Sequence, residues 1–112
     1  MRNVKQEFLQ AVANKAQVVC AIIYHLEYID DDGNYVGKYY NLKQNHTPEE
    51  YNDFLQSLDF NDTGYALAEL IISGVIWLSD GSWIDRKYND YTGDEYWEHV
   101  TAPTIPDHLI NI

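Results

Sequence analysis

Aromatic and acidic side chains alternate between residues 77 and 98, and these residue types are suited to binding another protein. Large rings provide area that can be removed from water, and carboxylates steer a basic partner. The predicted partner-binding residues are Trp77, Asp80, Trp83, Asp85, Tyr88, Asp90, Tyr91, Asp94, Glu95, Trp97 and Glu98. Two interpretations are open: the rings form an interface, or they lie in the core while the acids form an ordinary solvated surface.

The turn at residues 30–34 is the segment that most resembles a cation site, but it lacks part of the required ligand pattern. Asp30, Asp32 and Asn34 match the first three ligands of a calcium-binding loop. Tyr35 then stands where such a loop needs glycine, and Asn41 stands where it needs a bidentate glutamate. A structural turn and a weak cation site are the two alternatives, and the structural turn is the prediction. No metal or other cofactor is predicted for the chain.

Residues for nucleophilic catalysis are poorly placed in the sequence. Cys20 lies within an apolar run and is predicted to be a core residue, because a reactive thiol needs exposure and a positive neighbour. No serine lies in a G-x-S-x-G motif, and no glycine-rich phosphate loop is present. Because the chain has 18 acidic residues, any two carboxylates chosen from the sequence would be weak evidence for a catalytic acid–base pair. The chain is therefore predicted not to be an enzyme.

The negative charge is concentrated in the second half of the chain. The net charge is −11, yet residues 1–48 carry five acids and five bases. Residues 49–112 carry the other thirteen acids and only two bases, Arg86 and Lys87. Direct contact with nucleic acid or an anionic membrane is disfavoured, since phosphates need clustered cations. A basic protein surface is the predicted partner, and improved solubility is the alternative role of the charge.

Length and composition predict one domain, residues 1–112, with a hydrophobic fraction of 46% that is sufficient for a core. The longest apolar runs are shorter than the roughly 20 residues of a membrane-spanning helix. The N-terminal residues are typical of an amphipathic helix rather than of a signal peptide. A single cysteine excludes an internal disulfide. Cytoplasmic residence is the resulting expectation.

Two helices are predicted. Residues 3–16 carry apolar side chains at helical spacing, with polar side chains between them. Thr47 is a suitable N-cap, Pro48 fits the first helical position, and Glu50 lies three residues after the cap. A second helix is therefore expected to begin at Thr47.

Period-two alternation and turn residues predict the strands. Residues 18–29 form a strand that starts buried on both faces, and a turn at 30–34 leads to a second strand at 35–43. Residues 66–78 are ambiguous by period, although β-branched residues favour a strand, and residues 95–100 form the last strand. Consecutive hairpins predict an α+β domain in the order α-β-β-α-β-β-β, an antiparallel sheet of about five strands with two packed helices.

Asp80-Gly81 gives the clearest hairpin signal in the chain. A two-residue loop there pairs Leu78 with Trp83 and Trp77 with Ile84. Apolar pairs would then point to both faces of the ribbon. Either both faces are covered, or one of them binds a partner.

The segment from Gly74 to Arg86, followed by Glu95–Glu98 and by Ile105-Pro106, resembles small uncharacterised phage proteins. In size and charge the chain is similar to anti-restriction and anti-CRISPR inhibitors. This resemblance implies a protein that occupies the nucleic-acid site of a host enzyme in the host cytoplasm. It assigns no role to any individual residue.

The leading hypothesis is a non-enzymatic inhibitor or adaptor in which carboxylates of residues 80–98 replace phosphates, as in a partial DNA mimic. Two alternatives are open: a binder, or sponge, for a small ligand such as a nucleotide, and a homo-oligomeric structural or assembly protein.

Overall fold

The computed structural model describes residues 2–62, 71–89, 91–103 and 105–110. The helices are α1 (Val4–Val12), α2 (Pro48–Ser57) and the short α3 (Asp107–Ile110). The strands are β1 (Arg2–Asn3), β2 (Val18–Ile29), β3 (Tyr35–Leu42), β4 (Asn61–Asp62), β5 (Ile72–Leu78), β6 (Trp83–Tyr88) and β7 (Glu95–Val100).

Five of the strands form one antiparallel sheet in the order β3-β2-β5-β6-β7. β1 and β4 form a separate two-stranded antiparallel pair beside it. The predicted α+β fold, with a five-stranded antiparallel sheet and two main helices, is confirmed. The sequence did not predict β1, β4 or α3, because two to four residues are too few for a periodic signal.

Both main helices begin at side-chain caps. Thr47 accepts a hydrogen bond from the Glu50 backbone at 3.1 Å, and Glu50 accepts one from the Thr47 backbone at 3.0 Å. That N–H of Thr47, together with Lys43, holds the pKa of Glu50 below its usual value. The predicted start of α2 is confirmed. α1 ends at Val12, earlier than predicted, and Asn14 follows with a φ of 59° that a helix cannot contain.

One face of the sheet carries the hydrophobic core. Phe8 of α1 and Phe54 of α2 meet edge to face, with ring centroids 5.5 Å apart, above this face. The buried core residues are Val4, Phe8, Val18, Ala21, Ile23, Leu42, Phe54, Leu58, Ile72, Ile76, Leu78 and Ile84. The helices therefore cover the sheet from one side.

A bulge in β2 decides which residues of this strand reach the core. The register shifts between Val18 and Cys20, so Val18 lies on the core face together with Ala21 and Ile23. Cys20 then lies on the opposite face, whereas the sequence predicted a core cysteine. The thiol is partly exposed. A bulge changes side-chain alternation by one residue, which the apolar run alone could not reveal.

Gly74 lies within regular pairing, opposite Ile23. Its φ is +147°, and a Cβ atom there would lie 2.1 Å from the backbone oxygen of Ile22. Gly74 therefore permits close approach of β5 to β2. The strand predicted over 66–78 is confirmed from Ile72 onward, and residues 63–70 lie outside the described part of the chain.

Ile22 and Ile23 provide a matched test of the two faces. Ile23 is 0% exposed and Ile22 is 38% exposed, although both are β2 residues. We expect Ile23→Ala to lower the free energy of unfolding by about 3 kcal/mol, through lost burial and a residual cavity. Ile22→Ala should lower it by about 1 kcal/mol or less. Urea unfolding of both variants checks this, and equal losses would contradict the assignment of faces.

Candidate functional site

The β5–β6 hairpin places two tryptophans side by side. Trp77 pairs with Trp83 and Ile76 pairs with Ile84, one residue out of step with the predicted register. The loop holds three residues rather than two, because Gly81 adopts a φ of +85° and the Leu78 backbone bonds to Ser82. A shift of one residue reverses every side chain, so Trp77 and Trp83 share one face.

We call the sheet face opposite the helices the open face. Most of its side chains are exposed or half-exposed, and Trp77, for example, is 42% exposed. Leu26, which alternation also places on this face, is buried. From register and burial, the exposed and half-exposed residues of the open face include Cys20, Ile22, Tyr24, Tyr39, Val75, Trp77, Trp83, Asp85, Lys87, Tyr96, Glu98 and Val100. Contiguous exposed apolar area of this kind marks interaction surfaces.

A pair of carboxylates lies beside the tryptophans on the open face. Asp85 is directly opposite Glu98 in the β6–β7 pairing. The indole Nε1 of Trp83 donates to Asp85 Oδ2 at 3.1 Å, and Lys87 Nζ lies 4.0 Å from the same oxygen. Two carboxylates thus face one ammonium group, which leaves this part of the surface negative. The indole hydrogen bond also orients the Trp83 ring against the acid.

A groove extends the open face toward α2. It has a volume of about 700 Å³, and its walls include Ile22 and Trp77 on the sheet side. Glu50 and Asp53 lie on its helix side. Lys43 Nζ, also in the lining, is 3.0 Å from Glu50. The aromatic area of the open face is therefore flanked by acids on two sides. Asp85 and Glu98 lie on the sheet, and Glu50 and Asp53 lie on the α2 side of the groove.

Glu95, by contrast, is turned into the protein. Its carboxylate accepts hydrogen bonds from the backbone N–H groups of Ile71 and Ile72, at 2.8 and 3.0 Å. The Arg86 guanidinium lies 3.4 Å from Glu95 and 3.1 Å from Glu7. With both oxygens engaged and the residue buried, Glu95 ties β7 to the start of β5 instead of facing a partner.

Trp97 and Tyr88 lie on the helix-covered side with Glu95. The Arg86 guanidinium lies over the Trp97 ring, 5.1 Å from its centroid, and Trp97 packs against the core. Tyr88 is opposite Glu95 and is half-buried. The structure therefore divides the predicted site, and of its described residues only Trp77, Trp83, Asp85 and Glu98 share the open face.

The remaining predicted residues lie in hairpin loops. Asp80 is exposed at the β5–β6 turn, while Tyr91 and Asp94 are exposed in the β6–β7 loop. Asn89 holds that loop by accepting a hydrogen bond from the backbone of Tyr91 at 2.9 Å. Asp90 lies outside the described residues.

Ser82 and His99 form a contact that the sequence analysis missed. His99 Nε2 lies 2.9 Å from Ser82 Oγ, and Ser82 Oγ is also hydrogen-bonded to Asp80 Oδ1. The hydroxyl and backbone of Ser82 hold the pKa of Asp80 below its usual value. Because Asp80 takes the single hydroxyl proton, His99 must donate to Ser82 and cannot act as its base. Asp80, Ser82 and His99 together fasten the β5–β6 hairpin. The β6–β7 register, which pairs Ile84 with His99, brings these three residues together.

The turn that imitates a calcium loop uses its first acid internally. Asp30 Oδ1 accepts hydrogen bonds from the backbone N–H groups of Asp32 and Asn34, at 3.0 and 2.8 Å. This side-chain bonding is typical of a structural turn. Within the described ranges, no group of three or more His, Cys, Asp or Glu residues is arranged to hold a metal ion. In the same ranges, every helix is too short or too polar to cross a lipid bilayer.

The fold and surface together define an α+β protein with one helix-covered sheet face and one open face of aromatic and acidic residues. No protein-family model, curated protein or solved structure matches the chain.

Proposed function

We propose that the chain is a non-enzymatic protein-binding module whose open face occupies a basic surface of a partner protein. The observation that carries the proposal is the Trp77–Trp83 pair beside the Asp85–Glu98 pair on the open face. The rings supply area to be desolvated at the centre of a contact, and the acids select a cationic partner.

Charge supports a partner of different composition rather than a second copy of this chain. The net charge is −11, and two copies meeting through Asp85 and Glu98 would bring like charges together. Nucleotides are disfavoured at this surface for the same reason, since Lys87 is the open face's basic residue and lies against Asp85. The chemistry that fits best is a protein surface rich in Arg and Lys with apolar area between them.

A nucleic-acid-binding enzyme is the partner class that fits this chemistry best. Such enzymes present basic surfaces that normally contact phosphates. The open face could block such a surface in the cytoplasm, with Asp85 and Glu98 replacing phosphates. The resemblance of the Gly74–Arg86 segment to phage proteins is consistent with an inhibitor of a host defence enzyme.

Site-specific photo-cross-linking tests the proposed surface. A photoreactive residue is placed at Trp83 in one variant and at Asn52, exposed on α2, in a matched control. We expect a discrete cross-linked protein from position 83 only, with association that slows as salt is raised. Identical products from both positions, or a complex insensitive to salt, would count against the proposal. A cross-linked homodimer would replace it with self-assembly.

A further inference from the structure

A cavity of about 430 Å³ lies between the end of α1 and the start of α2, away from the open face. This volume is within the range of small-molecule sites. Its lining residues are Val12, Lys15, Ala16, Gln17, Val18, His46, Pro48 and Tyr51. Half of the lining is apolar, and four side chains bring polar atoms to it, which is the usual composition of a ligand pocket.

The charge of this cavity is opposite to that of the protein. The chain has 18 acidic residues, yet the described lining includes none of them. It includes Lys15, and no acidic side chain among the described residues lies within ion-pair distance of the Lys15 ammonium group. Arg2, Arg86, Lys43 and Lys87 are paired with acids, whereas Lys5 and Lys38, like Lys15, have no described acid within ion-pair distance. Of these three lysines, Lys15 is the one that lines the cavity. A cation that no described acid pairs with, in a cavity whose described lining holds no acid, favours an anionic ligand.

The cavity lining includes two stacked aromatic rings. The His46 and Tyr51 rings are 5.6 Å apart, with an angle of 22° between their planes. His46 Nδ1 donates to the backbone oxygen of Lys43 at 2.8 Å, which fixes the orientation of the imidazole. Burial raises the pKa of Tyr51, so its hydroxyl stays protonated and can donate. A planar ligand would lie against these rings.

From these features we infer that the cavity binds a small planar monoanion, an aromatic carboxylate, with its carboxylate on Lys15 and its ring against His46 and Tyr51. One lysine matches one negative charge. Nucleoside di- and triphosphates would bring further negative charge to a protein that is already at −11. The inference is independent of the proposed function, because the cavity and the open face share no residue.

Titration of the ¹⁵N-labelled protein tests this inference, with indole-3-acetate as the probe and neutral indole-3-acetamide as its match. We expect saturable amide shifts at residues 15–18 and at Tyr51, with about tenfold weaker binding of the acetamide, since a charge-assisted hydrogen bond is lost. Lys15→Gln should weaken acetate binding by about tenfold. Lys38→Gln makes the same charge change on β3, outside the cavity, and should leave binding unchanged.

Three outcomes would overturn the inference: absence of saturable shifts, equal binding of acetate and acetamide, or equal binding by Lys15→Gln and the wild type. Shifts centred on Trp77 and Trp83 would place the ligand on the open face instead and would also overturn it. The first three outcomes do not bear on capture of a protein partner, so the two proposals fail separately.

Discussion

Replacing Arg86 with alanine is expected to lower the free energy of unfolding by about 4 kcal/mol. The Arg86 side chain is 1% exposed and joins Glu7 to Glu95, whose side chain is 4% exposed. Removing the guanidinium leaves the Glu95 charge buried, with only its two backbone donors and a distant Arg2 at 3.9 Å. The Trp97 ring also loses the cation that lies over it. Urea unfolding at neutral pH, followed by circular dichroism, measures the loss.

Lys87→Ala is the matched control for this experiment. Lys87 is the next residue on β6, carries the same charge, and has a side chain that is 44% exposed. Its removal should change the free energy of unfolding by no more than about 0.5 kcal/mol. If both variants lost the same stability, Arg86 would be no more than a surface cation. A loss of several kcal/mol confined to Arg86→Ala would show that its buried ion pairs hold β7 in place.

Replacing Trp83 with alanine is expected to weaken binding of the cross-linked partner by about 100-fold, because desolvated aromatic anchors are the residues that dominate interfaces. Trp83 pairs with Trp77, and its indole N–H donates a hydrogen bond to Asp85. It therefore lies where the apolar and acidic parts of the open face meet. Calorimetric titration with the purified partner measures the change in Kd. A Kd within threefold of the wild type would remove Trp83 from the interface.

Asp85→Lys separates the acidic contribution from the aromatic one. We expect slower association and a weaker dependence of the rate on salt, since the carboxylate that attracts the partner is reversed. Asp31→Lys, in the exposed β2–β3 turn, makes the same change in net charge away from the open face. If the two variants slowed association equally, the effect would come from overall charge, and the local carboxylate pair would have no special role.

Local patterns in the sequence determined the element order. The Thr47–Glu50 capping box marks the start of α2 because its hydrogen bonds join residues three positions apart. The alternation over 18–29 and the polar turn at 30–34 likewise predict the β2–β3 hairpin from neighbouring residues. With hairpins following each other, the antiparallel sheet and the α+β class follow from chain order. The acidic and aromatic character of residues 77–98 is also a property of the sequence.

Only the tertiary structure decided which of these residues form a surface. A three-residue loop over residues 79–81, in which Gly81 adopts a positive φ, shifts the β5–β6 register by one and brings Trp77 and Trp83 onto one face. Long-range hydrogen bonds to Ile71 and Ile72 draw Glu95 inside, although in the sequence it resembles Glu98. Loop geometry and contacts between distant strands set side-chain direction, and neither is encoded in local periodicity. The same aromatic and acidic segment therefore contributes to both the core and the open face.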